Sequence, residues 1–235
     1  MNEMYRFLTI AVSSEWRRLD PGERAAQKRD FAGALEQCGV VAHAYSLVGT
    51  RSDADLLLWL VGDDARGLQQ AEARLAGTAL WTFSTRPHGY LAARRKSQYL
   101  GEHTHAGSEH GRATAGPVGD QRYVVVYPMT KKRSWYALPL EERTRIMAAH
   151  FATGHRYPEI RIHTGYSFGI DDYEFVVAFE APDPRQFLAL VADLRETESS
   201  SYTERETPIF VGEAMTCREA LDLIDGVAVR EAALT

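Results

Sequence analysis

The side chains able to bind or react are gathered in a few short segments of the 235-residue chain. The sequence YPMTKKRSWY (residues 127–136) places a phenol, a thioether and three consecutive cations directly after the apolar run YVVV. A basic cluster of this size, like RRKSQY at residues 94–99, suits a small anion. Downstream, LPLEERTRIMAAHFATGHRYP has apolar positions Ile146, Met147 and Phe151 in one helical stripe with His150. His150 is therefore either a packed core histidine or a ligand, in the last turn of a helix that Gly154 would end. A ligand histidine needs an acceptor at its other ring nitrogen. Glu196 and Glu198 share one parity if RETESSSY is extended, so one of them could point inward. In EIRIHTGYSFG, strand alternation puts Arg161, His163 and Gly165 on one face, opposite Ile160, Ile162 and Thr164. That polar face borders a wet pocket or faces solvent. His103, His105 and His110 lie in LGEHTHAGSEHGRATAGPVGDQ, a Gly, Ala, Ser and Thr-rich stretch that reads as a long loop.

The elements that must position these groups occur twice. EWRRLDPGER is echoed by SWYALPLEER, with Trp16 and Trp135 119 residues apart. RSDADLLLWLVGDDARGL resembles GIDDYEFVVAFEAPDPRQF, and matching Asp55 with Asp172 gives an offset of 117. Each half reads strand, helix, strand, strand, helix, strand: residues 5–12, 21–37, 40–47, 55–61 and 65–76, then 123–129, 140–153, 159–168, 173–180 and 184–196, each followed by a last short strand. This βαββαβ order predicts an α+β fold of two ferredoxin-like units. The expected divisions are an N-terminal unit at 1–99, a linker or distal loop at 100–122, and a C-terminal unit at 123–235.

Composition narrows the class. A net charge of −5 leaves no basic face for nucleic acid. Cys38 and Cys217 are far apart and predict two buried thiols rather than a disulfide or zinc site. With no long apolar run and no leader-like N-terminus, the sequence predicts a soluble, cytoplasmic protein without a membrane span. The P-loop, HExxH and GxGxxG patterns are all missing from it.

Across residues 123–212, the segments YPMTKKRSWYALPLEERTRIMAAH, YSFGIDDYEFVVAFE and DPRQFLALVADLRETESSSYTERETPIF occur in this order. Here the chain resembles the chlorite dismutase-like haem protein family, and within it the coproheme decarboxylases. The resemblance implies a dimeric α+β barrel made of the two ferredoxin-like units, with haem b or coproheme iron in the C-terminal unit alone. It also implies assembly into a homo-oligomeric ring, commonly a pentamer. By position, His150 is the expected iron ligand and Glu198 the acid that hydrogen-bonds it. Tyr127 matches the radical relay, Lys131 and Ser200 the propionate contacts, and Met129 and Trp135 the pocket wall. Counts to the residue above the iron end on His163 or Ile162, with Arg161 adjacent; the base that relatives carry in the distal loop matches His110, with His105 and His103 as alternatives in the same loop and His163 as an equal rival. The implied reaction is hydrogen peroxide-dependent oxidative decarboxylation of Fe-coproporphyrin III to protohaem, in which the porphyrin is substrate and redox cofactor together. The alternatives are a chlorite dismutase on a permanent haem b, with Arg161 as distal cation, and a haem-binding protein without turnover.

Overall fold

In a computed structural model of the chain, residues 3–95, 97–99 and 118–227 are described. The elements run β1 (Met4–Val12), a 3₁₀ turn (Trp16–Arg18), α1 (Pro21–Glu36), β2 (Val41–Ser46), β3 (Leu56–Gly62), α2 (Ala65–Ala76), α3 (Ala79–Thr82), β4 (Ser84–Thr85) and β5 (Gly89–Arg94). They continue with β6 (Tyr123–Lys131), α4 (Arg133–Ala137), α5 (Leu140–Gly154), β7 (Arg161–Tyr166), β8 (Phe175–Ala181), α6 (Pro184–Arg195), a 3₁₀ turn (Glu198–Tyr202), β9 (Thr203–Arg205), β10 (Phe210–Met215) and α7 (Cys217–Ile224).

Helix starts follow from local chemistry. Asp20, Asp64 and Asp183 each accept a first-turn backbone N–H of α1, α2 and α6, and Pro21 and Pro184 occupy first helical positions. Each such cap contributes about 1 kcal/mol.

Two compact units result, one of residues 1–91 with 212–235 and one of residues 92–211. In the first, β2, β3, β1 and β5 are neighbours in that order. In the second, the order is β7, β8, β6 and then β10. Both are the strand order of a ferredoxin-like unit, so the fold is mixed α+β with antiparallel sheet, built on a duplication. The compact units do not coincide with the sequence halves, because β10 serves both. Its Phe210 and Val211 fall in the second unit, while Glu213, Ala214 and Met215 pair with Ser46, Tyr45 and Ala44 of β2.

Matching hydrogen bonds fix the offset of the duplication. The Asp55 carboxylate accepts from Val12 N at 2.8 Å, and the Glu174 carboxylate accepts from Lys131 N at 2.8 Å. Asp55 therefore corresponds to Glu174 and not to Asp172, and the offset of 119 set by the two tryptophans holds here as well. The hairpins repeat too: Gly49 and Gly169 take φ of +82° and +74° at the turns after β2 and β7, a left-handed conformation that glycine adopts without strain.

The first unit has a closed core. Phe31, Ala32 and Leu35 of α1 pack with Leu8, Ile10, Leu56, Leu58 and Leu60, and α7 adds Leu221 and Ile224. Both cysteines are free and buried there, as expected. In the second unit, Val125 and Tyr127 of β6 pack with Ile160, Val177, Phe179 and Leu190. Met129, Ile162, Phe175 and Phe187 join that cluster while keeping part of their surface open.

Candidate functional site

Register assigns the faces of the second sheet. Directly opposed residues share a face, and Tyr127 opposes Val177, which opposes Thr164; Val125 opposes Phe179, which opposes Ile162. The face that carries Tyr127 and Met129 is therefore completed on β7 by Ile162 and Thr164. Arg161 and His163 oppose Glu180 and Ala178 and lie on the other face. There the His163 ring meets Glu180 Oε2 at 2.8 Å, with both side chains buried, and Glu180 Oε1 accepts from Gly119 N at 2.8 Å. Arg161 pairs with Asp120. His163 is thus buried and Arg161 half-buried, and together they clamp the segment that leads into β6, on the face opposite Tyr127.

Tyr127 is 8% exposed and stacks on Phe179, with Phe187 of α6 also against it. Burial pushes its phenol well above the usual range; the Glu206 carboxylate adds to the shift and Arg195 opposes it. Arg195 and Glu206 form an ion pair that also acts on Lys131. Lys131 donates to the Ser199 carbonyl at 3.2 Å and to Thr203 Oγ1 at 3.0 Å, and its ammonium lies 5.3 Å from the centre of the Trp135 ring. Burial pulls this ammonium down to about 8, against the pull of Glu206 and Glu174. Trp135 is buried against the rings of Tyr99 and Tyr202, and it braces Lys131. The other two cations of the cluster, Lys132 and Arg133, are exposed.

His150 sits in the last turn of α5, one turn before its end. Its stripe is less enclosed than the sequence implied: Ile146 is buried, but Met147, His150 and Phe151 are only partly so. His150 Nδ1 meets Ser199 Oγ at 3.1 Å, and Ser199 Oγ meets Thr197 Oγ1 at 3.0 Å. Burial, aided by the charge of Lys131, pulls the imidazole down to about 4, which leaves it neutral at pH 7. The extended reading of residues 195–202 gives way to the end of α6 at Glu196 and a 3₁₀ turn over Glu198–Tyr202, and Glu196 and Glu198 are both exposed. Glu198 accepts from Arg145 at 2.9 Å, and the neighbouring Ser199 is the residue turned toward the ring. Ser200 is half-buried one position further on. His103, His105 and His110 lie outside the described residues.

A cavity of about 280 Å³ opens on the same side, lined by Arg95, Gln98, Tyr99, Arg143 and the rings of Tyr136, Tyr166, Phe168 and Phe175. Tyr166 opposes Phe175, which opposes Met129, so its floor is the Tyr127 face of the sheet. Arg143 stands two helical turns before His150 on α5. Aromatic walls, cationic edges and one neutral histidine suit a flat, apolar, polyanionic ligand with a single open coordination position. Sequence reasoning missed Ser199, Thr197, Arg195 and Glu206. The clustered hydroxyls of TESSSY were the available signal for the first two; for the ion pair there was none, since its partners lie on separate elements.

Among the described residues, no three His, Cys, Asp or Glu side chains converge as a metal site, and no helix is long and apolar enough to cross a membrane. The chlorite dismutase family model matches residues 23–215. A coproheme decarboxylase of Mycolicibacterium smegmatis is 31% identical over 224 residues, covering 90% of this chain and 91% of the relative. Two solved structures of chlorite dismutase from Candidatus Nitrospira defluvii, one of a mutant and one of a complex with imidazole, superpose with TM-scores of 0.86 and 0.85. Each is 24% identical and covers 95% of both chains, a likeness of fold.

Proposed function

The chain belongs to the chlorite dismutase family, and from that premise we propose that it is a haem-iron enzyme that decarboxylates Fe-coproporphyrin III to protohaem with hydrogen peroxide. The residues fit an iron porphyrin. Macrocycle nitrogens supply four ligands, so the protein needs one, and the half-enclosed His150 is neutral with Nδ1 engaged. The observation that carries the choice of reaction is that Tyr127 shares one sheet face with Ile162 and Thr164, across β8, while Arg161 is held by Asp120 on the other. A chlorite-decomposing site needs a cation beside the reacting anion, and on this face β7 offers an alkyl chain and a hydroxyl.

Each propionate, R–CH2–CH2–COO⁻, becomes R–CH=CH2 and CO2 with release of one proton and two electrons. One hydrogen peroxide takes up those electrons and two protons to give two waters. When bound, the iron supplies the oxidising equivalents from peroxide. Tyr127 passes an electron from the propionate, and the rings of Phe179 and Phe187 exclude water from it. Lys131, charged below about pH 8, holds a carboxylate beside that phenol, braced by Trp135. Met129 walls the porphyrin plane, Ser200 meets a second carboxylate, and His110 takes the peroxide proton.

The test is titration of the full chain with coproheme, then peroxide, read by mass spectrometry. The expected product has lost two carboxyl groups. Tyr127→Phe should bind coproheme normally yet slow decarboxylation by ~100-fold or more. Normal decarboxylation by Tyr127→Phe would remove the relay role from Tyr127, while an unchanged porphyrin mass after peroxide, or oxygen evolution from chlorite over many turnovers, would sink the proposed reaction.

A further inference from the structure

The turn after α6 ends in hydroxyls, and their order has a direction. We infer that Ser199 and Thr197 are positioning residues: together they hold His150 with its proton on Nδ1 and the lone pair of Nε2 free, through a relay that ends on the Leu194 carbonyl. Thr197 Oγ1 lies 2.7 Å from Leu194 O. A carbonyl only accepts, so the single Thr197 proton is committed to it. The 3.0 Å contact between Thr197 Oγ1 and Ser199 Oγ then takes its proton from Ser199. With that proton spent, the 3.1 Å contact between Ser199 Oγ and His150 Nδ1 takes its proton from the ring. Only this assignment satisfies all three contacts, and a neutral imidazole has just one N–H to give. Ser199 is 2% exposed, and its own carbonyl is held by Lys131 Nζ at 3.2 Å, so the hydroxyl is fixed in place.

The relay is neutral throughout. A carboxylate at the same place would draw the Nδ1 proton toward itself and make the ring a stronger electron donor. Glu198, the nearest acid in sequence, is turned to Arg145 instead. His150 is therefore a plain imidazole donor, and iron held by it is easier to reduce than iron behind a carboxylate-bonded histidine. That consequence rests on iron binding at His150, as proposed above; the tautomer does not.

The full chain, labelled with ¹⁵N-histidine and free of porphyrin, tests the relay at neutral pH by NMR. The expected spectrum has His150 protonated at Nδ1. Ser199→Ala should lower the ratio of Nδ1–H to Nε2–H by about 10-fold, as loss of one buried hydrogen bond would. Thr197→Val, close to isosteric, should lower it in the same direction, and Ser199→Thr should restore it. After haem loading, Ser199→Asp should move the Fe(III)/Fe(II) midpoint to more negative values. An Nε2–H ring in the unaltered protein, or a ratio that neither Ser199→Ala nor Thr197→Val changes, overturns the relay. Loss of coproheme turnover with the Nδ1–H ring intact would count against the proposed reaction alone.

Discussion

Lys131 acts on His150 because both are drawn out of water within one small volume. Burial lowers each of their pKa values, and the Lys131 charge lowers that of His150 further. The sign of the effect on stability follows. Between the ordinary histidine value of 6.5 and the folded value of about 4, the unfolded chain binds a proton that the folded chain refuses. Stability contributed by the neutral ring is thus complete above pH 6.5 and is lost as pH falls toward 4. Urea midpoints of the porphyrin-free protein should drop over this window, and His150→Leu should remove that part of the drop. Lys131→Met should raise the histidine pKa only part of the way, because burial, the larger cause, remains. Helical spacing put His150 on the inward stripe, as either a core residue or a ligand, and only the family resemblance implied the ligand. The partner of His150 was not legible, since reading Glu196 and Glu198 as inward candidates assumed an extended segment, and the backbone there turns instead.

Elements fail to declare their faces when both sides are buried. The run YVVVY is apolar at every position, as in a strand covered on two sides. Alternation in β7 correctly separated Arg161 and His163 from Ile162, yet only the register with β8 and β6 shows which set shares a face with Tyr127. Helix contacts distant in sequence were hidden in the same way. Lys28 of α1 is 3% exposed and bonds Asp222 at 2.5 Å and Asp225 at 3.0 Å, while Arg24 also meets Asp225 at 2.7 Å. This network fastens α7 to α1. Removing one acid leaves buried cations short of a partner, a cost of about 3 kcal/mol. Asp225→Ala should therefore lower the urea-derived stability by that order, and hydrogen exchange should quicken first in α7. Unchanged exchange there would mean that the apolar contacts of Leu221 and Ile224 suffice to hold the helix.

At the scale of the whole molecule, duplication puts one helix position into two different surroundings. Its existence was legible from the paired tryptophans, but the matching of Asp55 to Asp172 was off by two residues, because Glu174 does the work of Asp55 with a longer side chain. One offset of 119 before His150 stands Phe31, wholly buried in the core of the first unit. The same helix position is thus a closed apolar plug in one copy and a half-open, hydrogen-bonded imidazole in the other. The divergence separates stability from function. Phe31→Ala should cost about 3–5 kcal/mol, as expected for emptying a close-packed site, whereas His150→Ala, truncated at a partly open face, should cost about 1 kcal/mol. Parallel urea denaturation of the porphyrin-free variants at pH 7 measures both. Equal losses would mean that α5 is as tightly packed as α1, leaving no room for a flat ligand between His150 and the sheet. The expected inequality would mark the second unit as the copy in which packing was given up for binding.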